Sequence, residues 1–123
     1  MAHVVCQPRE LKARIINAMG ARALRTLAQQ QGIPHSEHLT GVYDFQGDAD
    51  SYRQRLQGWL GQLPPSTVLM CHPADGLNPE APFPDARIRE QNVLSHSTLA
   101  TLLHEQGVRI VRGSQLFTSP TPR

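Results

Sequence analysis

The sequence predicts an α/β protein whose strands run mainly parallel. Three observations carry this. Short strand-compatible segments alternate with helical ones, the strand candidates are partly continuous in apolar residues, and the segment between two of them shows a clean amphipathic stripe. At 123 residues the chain fits one small domain, long enough to bury a core if its elements close on themselves.

His3-Val4-Val5-Cys6 is the first strand candidate, stopped by Pro8, which has no amide proton to give a ladder. From Arg9 to about Gln31 the pattern turns helical. Leu11, Ile15, Met19, Ala23 and Leu27 recur every four residues, Ile16 and Leu24 widen the stripe, and Gly20 weakens or bends its middle. Gly32-Ile33-Pro34 ends that helix, and His35 to Thr40, without periodicity, reads as a loop. Gly41 to Phe45 is the second strand candidate. Gly47-Asp48-Ala49-Asp50 carries N-cap chemistry for a helix in which Tyr52, Leu56, Trp59, Leu60 and Leu63 share one face, which is expected to pack onto a sheet. Pro64-Pro65 terminates it, and Thr67 to Cys71 is the third strand. A proline-rich loop then leads to Asp85, a natural N-cap for a helix from about Ala86 to Leu94. Ser95-His96-Ser97 breaks the pattern before a second helix from Thr98 to Gln106, closed by Gly107, and Val108 to Val111 is the fourth strand. Residues 117–123, with two prolines, read as a disordered tail.

Composition narrows the function classes. Apolar residues make up 39% and charged residues 18%, and no apolar run approaches the ~18 residues of a membrane span. The first residues lack the basic and apolar regions of a secretory signal, so a cytoplasmic location is expected. The formal charge of +2 comes almost wholly from scattered arginines, with Lys12 the single lysine, which argues against a nucleic-acid partner. Cys6 and Cys71 sit in apolar contexts and read as small buried hydrophobes. Neither a GxGxxG nor a Walker-type motif is present, so nucleotide binding has no positive support.

The segment Thr67-Val68-Leu69-Met70-Cys71-His72-Pro73 is the most informative. A strand that runs into a histidine is how α/β enzymes present a catalytic imidazole, because ligands bind at the carboxyl ends of parallel strands. The competing reading is a histidine that caps a strand. The loop beyond it, Ala74 to Pro84, carries three prolines and two carboxylates, and loops of that length in small domains usually serve a site.

Several segments in fixed order resemble a known family. Ile33-Pro34-His35-Ser36 leading to Gly41 through Phe45, then Leu63 through Pro73, then Arg87-Ile88-Arg89-Glu90, then Gly107 through Val111 are similar to the C-terminal half of YdjC-like carbohydrate deacetylases, with the hopanoid-associated branch nearest. The resemblance covers roughly residues 3 to 116, and Leu69-Met70-Cys71-His72-Pro73 is its strongest motif. It implies a partial (β/α) domain of a TIM-barrel-like fold and hydrolysis of acetamide groups on N-acetyl sugars with a divalent metal, magnesium or zinc. In that family the metal is held by acidic and His-x-His motifs of the N-terminal half. Those motifs are missing here, and His3 lies just after the place where the His-x-His would end. The chain is therefore expected to be truncated relative to that family, or completed by another chain, and to bind no metal alone.

What the resemblance implies chemically rests first on His72, whose imidazole suits protonation of the departing amine. Arg87 or Arg89 would orient a carboxylate or stabilise an oxyanion, with Glu90 on the same helical face as Arg87; an ordinary surface ion pair explains that group equally well. Tyr43 and Asp44 would bond sugar hydroxyls, or else serve as a buried aromatic and a turn cap. His35, His38, His96 and His104 show no metal-binding spacing. The expected partners are a small carbohydrate substrate and, through unpaired sheet edges, a second copy of the chain. The alternative function is a catalytically silent α/β binding or interaction module.

Overall fold

The computed structural model describes residues 3, 4, 15 and 20–116. These residues form a mixed α/β structure with a parallel sheet. Strand β1 is His3–Val4, β2 is His38–Thr40 and β3 is Thr67–Leu69. They pair in sequence order, β1-β2-β3, each neighbour parallel, with His38 opposite His3 and Thr67, and Leu39 opposite Val4 and Val68. The helices are α1, Ala21–Gln30; α2, Ala49–Leu60; α3, Pro84–Leu94; α4, Thr98–Glu105; and the short α5, Gly113–Leu116. No helix among the described residues is long and apolar enough to cross a membrane.

Two compact units emerge. One gathers the described residues up to Val42, Pro64–Leu69 and those from Ile110; the other comprises Tyr43–Leu63 and Met70–Arg109. The first holds the sheet and α1. Of α1 only Ala28 is buried, while Leu24 and Leu27 stay exposed at 43% and 47%. Of the expected residue 9–31 helix, residues 9–14 and 16–19 lie outside the described residues, and Ile15 is helical. Gly20, with φ 90°, caps the start of α1, and Gly32 at φ 63° closes it as expected.

The second unit carries the larger core. Asp48 caps α2 by accepting from the Ser51 amide at 2.8 Å, and the Ser51 backbone and hydroxyl bonds hold the Asp48 carboxyl below the usual carboxylate range. Of the predicted stripe, Tyr52, Leu56, Trp59 and Leu60 are buried while Leu63 lies past the helix end and is half-buried; where a sheet was expected, α2 packs against α3, whose buried residues are Ala86, Glu90 and Val93. Each large apolar side chain so buried contributes about 1.5–3 kcal/mol. Tyr43 joins them, with ring centroids 5.5 Å from Tyr52 and 5.8 Å from Trp59.

Four expectations are corrected. The second strand is His38–Thr40, not residues 41–45. Gly41 at φ 94° and Phe45 at φ 63° leave extended backbone, and the Asp44 carboxylate accepts from the Gln46 amide at 3.0 Å in a local turn. The third strand stops at Leu69, two residues short of Cys71. Residues 108–111 form no strand, because the Val108 amide donates to the Leu103 carbonyl at 2.9 Å and the Gly107 amide to His104 at 3.1 Å, the closure of α4 around a left-handed Gly107. Ile110 is accordingly 75% exposed. Finally, α3 begins at Pro84 with Phe83 as its N-cap, which places the expected cap Asp85 inside the first turn.

Candidate functional site

The residues that matter chemically gather in the second unit around Glu90. This glutamate lies on the buried face of α3, one turn before Val93 and one turn after Ala86, and none of its surface reaches solvent. Periodicity alone would assign an apolar residue here, so a carboxyl in this place is the unusual feature of the molecule. Both of its oxygens are buried without a hydrogen bond, and the nearest counter-group is the Nδ1 atom of His72 at 3.5 Å, an ion-pair distance.

His72 follows β3 by three residues and stands in irregular chain, beyond the strand end rather than at it. The segment is tied to α3 through the Ala74 amide, which donates to the Arg87 carbonyl at 3.2 Å. Nδ1 is buried, while the side chain keeps 22% of its surface exposed, so the solvent-facing part of the ring lies away from Glu90. The imidazole edge also meets the Phe45 ring at 5.0 Å and 75°. An imidazole that faces a buried carboxyl with one nitrogen, with part of its ring open, can pass a proton to or from a ligand.

Two phenols border the same carboxylate. Burial first, and then the Glu90 charge, push the Tyr43 hydroxyl up to about 12. Arg55 lies over the Tyr43 ring with its guanidinium carbon 5.4 Å from the centroid, and together with Arg89 it opposes that rise. Tyr52, only 1% exposed, is raised further still by burial and then by Glu90, although its hydroxyl makes no well-formed hydrogen bond. Burial and the Glu90 charge also raise the Cys71 thiol, which keeps it from being a thiolate nucleophile. Cys71 itself is exposed, contrary to the expectation of a buried hydrophobe; Cys6 lies outside the described residues.

The other predicted residues take separate places. Asp44 is exposed and pairs with Arg55, Nη2 to Oδ1, at 3.4 Å. Arg87 donates through Nε to the Pro82 carbonyl at 2.9 Å, a bond that braces the loop before α3. Its expected pairing with Glu90 therefore gives way to one between Glu90 and His72. Arg89 donates to the Phe45 carbonyl at 3.4 Å. The structure thus brings His72, Glu90 and Tyr43 together and sets Asp44 and Arg87 in backbone-bracing or rim contacts. Sequence reasoning overlooked Tyr52 as a polar neighbour, because it counted only toward the apolar stripe. It also overlooked Phe45 and Phe83, which stack at 4.4 Å. A phenylalanine between Pro82 and Pro84 in a polar loop was the available signal for that pair.

In the first unit, Arg25 pairs with Glu37, and His35 lies 3.7 Å from the same carboxylate while its Nδ1 contacts the Ile33 carbonyl at 2.9 Å. Among the described residues no group of three or more His, Cys, Asp or Glu side chains could hold a metal ion. A cavity of about 230 Å³ in the second unit is bordered by Leu56, Val93, Leu99 and Leu102, with Arg53 and Glu105, and by none of the predicted site residues. No family model matches the chain, and no curated protein or solved structure matches it.

Proposed function

We propose that this chain forms later βα units of a TIM-barrel-like carbohydrate deacetylase similar to the YdjC-like enzymes, acting in the cytoplasm on N-acetyl sugars, with His72 as its proton-transferring group and Glu90 as the residue that positions it. The observation that carries the reading is the burial of Glu90 behind the Nδ1 atom of His72, with the remainder of the imidazole open. Amide hydrolysis needs a proton on the departing amine, and an imidazole held in place with part of its ring open to solvent is suited to supply it. Glu90 acts on the ring and not on the sugar, since no part of it is exposed. Tyr43, buried beside it, frames the ring's surroundings and does not reach sugar hydroxyls from the surface.

The magnesium or zinc ion that the resemblance implies does not fit the described donor set. His72 and Glu90 are turned on each other, and no third ligand joins them. Among the described residues no ligand set for that metal is assembled, and its ligands would come from elsewhere in the enzyme. The chain alone, with magnesium or zinc added, is therefore expected to release no acetate from N,N′-diacetylchitobiose. In a complete relative carrying the same Leu-Met-Cys-His-Pro run, replacing the histidine equivalent to His72 by Ala is expected to lower turnover by about 10²–10⁴-fold with metal affinity unchanged. Metal-dependent acetate release by the isolated chain would remove the requirement for added ligands. Unchanged turnover in the variant would return His72 to the role of a buried-acid partner and favour a silent binding module, for which the exposed apolar residues of α1 speak.

A further inference from the structure

Phe45 and Phe83 stack nearly parallel, with centroids 4.4 Å apart and planes 15° from each other. Both residues hold left-handed backbone, φ 63° at Phe45 and φ 54° at Phe83. Bulky side chains rarely adopt this conformation, and Phe83 also precedes Pro84, where extended backbone is the rule. Of the three non-glycine residues with positive φ among those described, Ser66 at φ 59° is small, and the two bulky ones are the two that bring these rings face to face. Strain held at paired positions points to function when ordinary packing does not explain it. Packing does not explain Phe83, which remains 50% exposed. Phe45 covers one of its faces, so the exposed half includes the opposite face. On its own side Phe45 meets the imidazole of His72. The order of groups is His72, Phe45, Phe83, then solvent.

We propose that the open face of Phe83 is a stacking platform for a pyranose unit of the substrate, a β-linked N-acetylglucosamine residue next to the one undergoing deacetylation. This rests on the deacetylase reading and adds a subsite to it. An aromatic face carries negative quadrupole charge and attracts polarised C–H bonds. A β-linked N-acetylglucosamine unit has all its ring substituents equatorial, so each face presents only axial C–H groups. A single exposed ring beside the proton-transferring histidine suits one such unit and leaves its equatorial hydroxyls in water.

The test is saturation-transfer NMR of N,N′-diacetylchitobiose with the full chain, for the wild type and for Phe83→Gly, Phe83→Asn and Phe83→Trp. Gly and Asn both accept a positive φ, so each removes the ring without the backbone strain, and Phe83→Gly is expected to melt at a temperature no lower than the wild type. The wild type is expected to saturate the axial protons of the sugar ring preferentially. Both ringless variants are expected to weaken binding by about tenfold, with Phe83→Trp within a few-fold of wild type. Equal binding by wild type and the ringless variants would overturn the platform and leave the sugar reading standing. Absence of chitobiose binding by a wild-type chain that melts cooperatively would overturn both.

Discussion

Removing either partner of the His72–Glu90 pair is expected to have unequal costs, because the two groups are unequally buried. Glu90 has no exposed surface, whereas the His72 side chain keeps 22%. His72→Ala leaves a carboxyl in the protein interior with no counter-group; breaking a fully buried pair in this way costs about 3–5 kcal/mol. The partial exposure of His72, the 3.5 Å separation and the water that an alanine would admit bring the expected cost down to about 2–3 kcal/mol. Glu90→Gln keeps the volume and hydrogen-bonding capacity and leaves behind an imidazole that water can reach, so its expected cost is about 0.5–1 kcal/mol.

The double variant provides the sharper measure. Once Glu90 is Gln, loss of the imidazole no longer strands a carboxyl, and His72→Ala in that background is expected to cost about 1–2 kcal/mol less than in the wild type. Urea unfolding followed by far-ultraviolet circular dichroism reads these differences, with a midpoint shift of about 1–2 M for His72→Ala alone. If Glu90→Gln proves as costly as His72→Ala, or if the two changes add, the carboxyl is not sustained by this imidazole and the positioning role falls.

Two further outcomes follow from the geometry. Tyr43 rises from 10.0 to about 12 in the folded chain, and Tyr52 is raised as well, so the folded state keeps protons that the unfolded chain surrenders. Stability is therefore expected to fall as pH climbs from about 10 to about 12, and Tyr43→Phe should flatten that fall by one proton's slope in urea midpoints measured across the range; an unchanged slope would show that Tyr43 is not protected. The three described strands leave β1 and β3 as edges, and Leu24 and Leu27 on α1 and Val68 on β3 are exposed, so the chain is expected to self-associate at micromolar concentration. Leu24→Glu together with Leu27→Glu should shift sedimentation toward monomer, and a sharp monomer peak for the wild type would refute the association.

How much of this was legible in the sequence depended on whether local or distant forces decide each element. The α2 helix was legible because its cap and its stripe are written within twelve residues, and Tyr52, Leu56, Trp59 and Leu60 are buried as their spacing requires. Strand β2 was misplaced for an opposite reason. His38-Leu39-Thr40 has little apolar pattern of its own and is a strand because β1 and β3 flank it, while the more apolar Gly41 to Phe45 is diverted by two positive φ angles. At Val108 the helix cap took the amide that a fourth strand would have needed. His72 and Glu90 each stood out in the sequence, but their pairing did not, because it depends on α3 starting at Pro84 and on the chain after β3 bonding to it through Ala74.

A carboxyl as buried as Glu90 is a poor choice for stability alone, since apolar side chains of similar volume commonly fill such positions with no loss. The same argument applies to the left-handed Phe45 and Phe83, each held at a backbone cost of about 1–3 kcal/mol, and to Tyr52, whose buried hydroxyl lacks a well-formed partner. Outside this group, Ser66 at φ 59° and the buried Nε2 atom of His35 are features of the same kind in the first unit. Within the second unit they are linked: Phe45 touches His72, His72 faces Glu90, and Glu90 raises both Tyr43 and Tyr52. These features of the second unit form one connected chain of contacts, and the apolar burial along α2 and α3 offsets them within the same unit. That connection makes the imidazole's setting, more than the identity of any single residue in it, the support for the proposed reading.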